Sequence, residues 1–298
     1  MTPKSQSIDI AGTTLHYLEQ GEGDPILFLH SIPMSSYIWR NIIPYVSWLG
    51  RCIALDFVGF GKSDHPNIQY RIDDHIHYLQ AFIDKLNLKH ITLVMHGFGS
   101  IIGFHYAQHH KANCKGLVFY ESFLRSIKPE VLSLPLQEQI ITLEDVTSLP
   151  DFSHNGLTYI DKMLPQFIMN ELSHQLMDYY RSPFLEDRSY TQISSYLQLF
   201  RDGAMRQQAN QMIESYSQWL TKTNLPKLLL YSIPGFITTV ATVMWAKDNL
   251  PELEIIDFGE ELHLGQETYP EMIGESISVW LQGIEQNALM NGDRNDGI

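Results

Sequence analysis

The chain has 298 residues, 44% of them hydrophobic and 18% charged. That suits one large α/β domain with an insertion, or two modest domains, and excludes disorder over most of the length. A net charge of −14, with no Lys/Arg cluster to neutralise phosphates, excludes nucleic acid and anionic membrane as main partners. Two cysteines, Cys52 and Cys114, frame neither a disulfide scaffold nor a zinc site and point to a reducing, cytoplasmic setting.

The N-terminal stretch has no apolar core of the kind a signal peptide carries. It alternates over residues 7–18 as a β-hairpin that would form an antiparallel edge. Short apolar runs then predict strands at 26–29, 52–55, 91–95, 116–120, 227–231 and 253–258, with amphipathic stretches at 74–86 and 238–249 and a helix at 270–281. Continuous apolar strands alternating with helices imply an α/β fold: a mostly parallel eight-stranded sheet covered by helices on both faces. Cys114 is placed at the end of a surface segment just before a strand, and no run is suited to crossing a membrane.

After the sixth strand the rhythm stops for about a hundred residues, far longer than an ordinary crossover. The expected organisation is a core over 1–129, a helical cap over 130–222 and the rest of the core over 223–298. A cap over the carboxyl ends of the strands would enclose a largely dry pocket, with Phe152, Met163, Phe167, Met169 and Phe184 as candidate lining. The polar tail 287–298 is expected to fray. The 13 histidines are scattered, with His109 and His110 at the solvated end of a helix. Neither a metal nor a cofactor is expected. Gly59-Phe60-Gly61-Lys62-Ser63 lacks the spacing of a phosphate-binding loop.

The segment ITLVMHGFGSIIG at 91–103 has the form of a nucleophile elbow, a tight strand-to-helix turn that lifts one side chain above the sheet. Its apex in Met95-His96-Gly97-Phe98-Gly99 is Gly97, so the usual seat of the nucleophile carries no side chain. Three further positions follow strands. His30-Ser31-Ile32-Pro33 forms a loop whose backbone, with that of Phe98, suits an oxyanion hole through the amides of Ile32 and Phe98. Glu121 follows the fourth of these runs, and His263 follows the last. A histidine there suits a general base, with the glutamate holding its other ring nitrogen. Ser31 reads as part of a loop that donates backbone and Ser100 as a residue serving helix geometry, neither as a nucleophile.

Taken in order, HSIPMSSYIWRNIIPYV, CIALDFVGFGKSDHP, DDHIHYLQAFIDKLNL, the elbow, YYRSPFL, PKLLLYSIPG and LHLGQETYPEMIGESISVWL resemble the haloalkane dehalogenases, the branch that also holds coelenterazine-type luciferases. The resemblance runs over residues 8–285. It implies an α/β-hydrolase fold with a cap and, residue by residue, a base at His263 and an acid at Glu121. Such enzymes place an Asp nucleophile at the elbow apex. They hold the halide with an Asn of an HGNP-like loop and with the Trp after the nucleophile. Here Gly97, Ile32 and Phe98 stand at those three positions.

With carboxylate and both side-chain donors gone, dehalogenation by that route is not expected. The expectation is a non-hydrolytic, cofactor-independent enzyme that cyclises, cleaves or oxygenates a small apolar substrate with a His–Glu dyad and no covalent nucleophile. The space beside Gly97 would be open to substrate or water. Two alternatives stay open: a non-catalytic protein that binds a small ligand, and a residual hydrolase in which His263 activates water directly. The ligand would be apolar, aromatic or polyketide-like, and the sequence gives no oligomeric state.

Overall fold

In the computed structural model, residues 2–138, 156–185, 190–201 and 203–292 are described. One eight-stranded sheet organises them, in the order β1-β2-β4-β3-β5-β6-β7-β8. The hairpin β1 (Lys4–Ile10) and β2 (Thr13–Gln20) pairs antiparallel, β2 runs antiparallel to β4, and the remaining neighbours are parallel. The central strands β3 (Pro25–Leu29), β4 (Arg51–Leu55), β5 (Ile91–Gly97), β6 (Cys114–Ser122) and β7 (Lys227–Pro234) are continuous apolar runs because helices cover both their faces. The edge strand β8 (Leu253–Glu261) is only half-buried and more polar.

The sequence finds every strand of the sheet but stops several short. Strand β5 runs on to Gly97 and β6 to Ser122, so the elbow apex and Glu121 lie within strands rather than after them. Cys114 is not on a surface segment. It is buried as the first residue of β6, with its thiol pushed up to about 12 by burial. Both cysteines are free. The tail also differs in part: the last helix, Pro270–Gly292, continues well into the stretch expected to fray.

Helix Ile72–Lys85 matches the first amphipathic stretch and helix Val240–Asn249 the second. Between β6 and β7 the described residues form helices, chiefly Gly156–Met163, His174–Arg181, Tyr190–Leu197 and Ala204–Leu220. Of the candidate lining residues there, Met163, Phe167 and Phe184 are buried, Met169 is exposed, and Phe152 lies outside the described residues. No helix among the described residues is long and apolar enough to cross a membrane.

Directly after β4, buried Asp56 ties the hairpin to the loops beneath the site. Its carboxylate accepts from His16 Nδ1 at 2.7 Å, the Ser36 amide at 2.6 Å and the Lys62 amide at 2.8 Å. Burial alone would raise its pKa, but the His16 hydrogen bond and charge, with the Lys62 amide, bring it below the ordinary 3.8. A depressed carboxylate pKa contributes stability that is present above the unfolded value and lost as pH falls through the folded one. Asp56→Asn is expected to destabilise the fold by roughly 3 kcal/mol. In urea titrations from pH 7 to pH 2 it should also flatten the acid limb below about pH 4.

Candidate active site

The elbow is built by tight packing. Gly97 has φ 50° and ψ −120° between β5 and helix Phe98–His109, a left-handed backbone that favours glycine. At Gly99 a Cβ would stand 2.6 Å from the Leu29 carbonyl oxygen, so that glycine lets the helix approach β3. Ser100 serves the turn as expected: its hydroxyl donates to the Gly97 carbonyl at 2.7 Å and accepts from the Phe123 amide at 3.0 Å.

The space beside Gly97 is not open. A Cβ built there would overlap the Ser31 hydroxymethyl group and come within 3.1 Å of His263 Cε1. Ser31 therefore occupies the volume that a side chain at the apex would need, contrary to the vacancy read from sequence. Its Oγ lies 3.2 Å from His263 Nε2 and accepts the Phe98 amide at 3.3 Å. Its carbonyl accepts from His30 Nδ1 at 2.8 Å and from the Met34 amide at 2.9 Å. Since His30 Nε2 accepts the Phe57 amide at 3.0 Å, His30 is the neutral Nδ1–H tautomer. Burial lowers its pKa in keeping with that.

On the other side of the imidazole, His263 Nδ1 lies 3.2 Å from Glu121 Oε2. That carboxylate is held by three amides of the loop after β7: Phe236 at 3.1 Å, Ile237 at 2.5 Å and Thr238 at 3.2 Å. Gly235 (φ 70°) permits the close approach, because a Cβ there would stand 3.1 Å from Glu121 Oε1. With Nδ1–H directed at the carboxylate, Nε2 carries the lone pair and the Ser31 hydroxyl donates to it. Ser31, His263 and Glu121 thus form one continuous hydrogen-bonded chain, each member at most 2% exposed.

His96 is positioned behind this chain rather than in it. Its Nε2–H donates to the His263 carbonyl at 2.9 Å, and its ring stacks on Tyr120. Burial first, then the neighbouring His263, pushes its pKa well below the usual value, so the ring stays neutral. Ile32 is a buried apolar wall joined to Pro33 by a cis peptide. Of the two amides expected to form an oxyanion hole, that of Phe98 is brought to Ser31.

Two features escaped the sequence reading. The amide cradle around Glu121 has only the Pro234-Gly235 turn as a local signal. Tyr196, from helix Tyr190–Leu197, brings its buried hydroxyl beside the Ser31 side chain, with its pKa raised by burial and by Glu121. Its ring meets Phe98 edge-on at 5.9 Å, and Phe167 and Phe236 flank the His263 ring at 5.6 and 5.5 Å. No sequence pattern separates these aromatics from ordinary core. A surface cleft of about 560 Å³ bordered by Thr13, Lys62 and Asp64 contains no member of the chain.

A model of the alpha/beta hydrolase fold matches residues 24–248. The chain is 30% identical over 288 residues to a haloalkane dehalogenase of Agrobacterium fabrum, covering 95% of this chain and 93% of the relative. It is 33% identical to one of Mesorhizobium japonicum, covering 94% and 91%. The chain belongs to the haloalkane dehalogenase-like α/β-hydrolase family. The crystal structure of the haloalkane dehalogenase DatA from Agrobacterium tumefaciens C58 superposes with a TM-score of 0.86 at 30% identity over 95% of this chain and 97% of the other. That of DbeA from Bradyrhizobium elkani gives 0.88 at 29% identity over 96% and 99%.

These relatives overturn the expectation of non-hydrolytic chemistry. Proteins matching nearly the whole chain at about this identity are named haloalkane dehalogenases, which points to hydrolysis rather than cyclisation, lyase chemistry or oxygenation. The misreading has a physical origin, since an apex without a side chain was taken as open space although the Ser31 side chain lies there.

Because one side chain fills the shared space, Gly97→Ala is expected to cost roughly 1–3 kcal/mol through overpacking. Adding Ser31→Gly should recover the part of that loss that comes from the overlap, leaving the cost of a β-carbon at φ 50°. A double-mutant cycle by chemical denaturation should give a coupling clearly above additivity error.

Proposed function

We propose that the protein is a hydrolase in which Ser31, His263 and Glu121 act as nucleophile, general base and orienting acid. The observation that carries this reading is the position of Ser31 Oγ, 3.2 Å from His263 Nε2 and inside the volume of a side chain at Gly97. On this reading two positions of the family pattern have exchanged bulk. Gly97 stands where the Asp nucleophile would be, and Ser31 stands at the glycine of the HGNP-like loop. The attacking oxygen enters from the loop after β3 instead of from the elbow, and the base need not move.

Each group has a defined task. His263 takes the Ser31 proton through Nε2 as Oγ attacks, and Glu121 stabilises the imidazolium while its three amide bonds keep the carboxylate fixed. The Phe98 N–H and the Tyr196 hydroxyl lie beside Ser31 Oγ, as donors for the substrate oxygen that takes up charge when Oγ attacks. His30 and His96, both neutral, position the Ser31 and His263 backbones. The described helices between β6 and β7 act as the cap expected over 130–222, supplying Tyr196 and the Phe167 wall. Ile32 and Phe98 contribute apolar surface, which favours a small apolar or aromatic substrate.

Removing the base should lower kcat by roughly 10²–10⁴-fold. Ser31→Ala should lose a similar factor, and the double variant Ser31→Ala/His263→Ala little more, because residues acting as a unit are not additive. Steady-state kinetics in H₂¹⁸O checks both parts. Solvent oxygen should appear in the product of the wild type, whereas full activity in the His263→Ala variant would refute the reading.

A further inference from the structure

Resting on the proposed role of Ser31, we infer that the substrates turned over are carboxylic esters with small apolar acyl groups, and that haloalkanes can at most alkylate the protein once. The two chemistries diverge after the first step. If Ser31 Oγ attacks a halogen-bearing carbon, the carbon–halogen bond breaks, halide leaves with the electron pair and the hydroxyl proton passes to His263. What remains is an alkyl ether of serine. A carboxylate nucleophile leaves an ester, whose carbonyl carbon accepts water in the second step. The ether has no such carbon, and water would have to expel an alkoxide from a saturated centre. The site therefore stops after one event.

An ester brings the missing carbonyl itself. Ser31 Oγ attacks the acyl carbon while its proton moves to His263 Nε2. The carbonyl oxygen takes up the negative charge beside the Phe98 N–H, which already lies 3.3 Å from Oγ, and beside the Tyr196 hydroxyl. Collapse breaks the bond to the leaving alcohol, which departs with the proton from His263. Water, deprotonated by His263, then attacks the acyl-Ser31 carbonyl and releases the acid, restoring Ser31 and the neutral imidazole. Atoms and charge balance with water as the only co-reactant.

The surroundings limit the acyl group. Ile32, Phe98, Phe167, Tyr196 and Phe236 are all at most 7% exposed, and four are aromatic. Phe98, Phe167, Tyr196 and Phe236 stand within ring-contact distance of one another or of His263. Such walls favour short aliphatic or aryl acyl chains over charged or sugar-bearing ones.

The test compares p-nitrophenyl esters from acetate to decanoate with 1-bromohexane, on full-length wild type, Ser31→Ala and His263→Ala proteins. Circular dichroism of each variant confirms folding. Esters should turn over many times in the wild type, and Ser31→Ala should lose at least about 100-fold. Bromide release should end at no more than one per protein, with any added hexyl mass on Ser31. Sustained bromide release that requires His263 would overturn the inference and the nucleophilic role of Ser31 together, since a serine ether cannot turn over. No ester turnover with phosphonate labelling of Ser31 intact would overturn the inference and leave the hydrolase reading standing, whereas ester turnover unchanged in Ser31→Ala would overturn both. Wild-type rates in His263→Ala on both substrates would instead refute the hydrolase reading.

Discussion

Between the carboxyl ends of β3 and β5 there is room for one short side chain, and everything at the site follows from which strand supplies it. Helix Phe98–His109 leaves the elbow so close to β3 that Gly99 has backbone on its Cβ side at 2.6 Å. Neither strand can yield, because interiors packed to crystal density have no slack for a displaced backbone. With a glycine at 97, the hydroxymethyl group of Ser31 takes the space and His263 meets an oxygen from the neighbouring loop. A hydroxyl placed there by packing needs no further device to reach the base.

The electrostatics reinforce this placement. Among the described residues five imidazoles are buried; besides His16, which is paired with Asp56, those of His30, His75, His96 and His263 lie within or next to the sheet ends. Burial lowers the pKa of His30 and His96 and brings that of His75 to about 3, so three of them stay neutral. Of those four, only His263 faces a carboxylate within hydrogen-bonding distance, the Glu121 group already held by three amides. Of these four rings, the one bonded to Ser31 is therefore the one with a carboxylate beside it. In a low-dielectric interior that pairing is worth more than it would be in water.

Much of this was legible in the sequence. Apolar runs on both faces mark β3 to β7 because a parallel sheet buries them whole, and the elbow register placed Gly97, Glu121 and His263 at one end of that sheet. The role of Ser31 was not legible. A serine in a glycine-like loop position looks like backbone filler until the overlap at Gly97 is known, and that overlap joins residues 66 positions apart through tertiary packing alone (97 − 31). Tyr196 and the amides of Phe236, Ile237 and Thr238 escaped for the same reason. Each comes from a distant segment and carries no local signal of where it will point. Cys114 was misplaced because a polar Lys111-Ala112-Asn113 turn ends one residue before burial begins.

The exchange between positions 31 and 97 also explains why departures from a family pattern have to be read in pairs. A bulky side chain at 97 facing Ser31 would overlap, while glycine at both positions would leave an unfilled gap beside the base. Either intermediate costs stability, by overpacking in one case and by a cavity in the other. A single substitution at the apex looks like the loss of an active site, whereas the pair returns one oxygen to the same imidazole from another direction. On the proposed reading, the base stays at His263 and only the element holding the nucleophile changes. The chemistry that survives is then set by the bond this oxygen forms. A carboxylate makes an ester with the saturated carbon it attacks, while a hydroxyl makes one only with an acyl carbon.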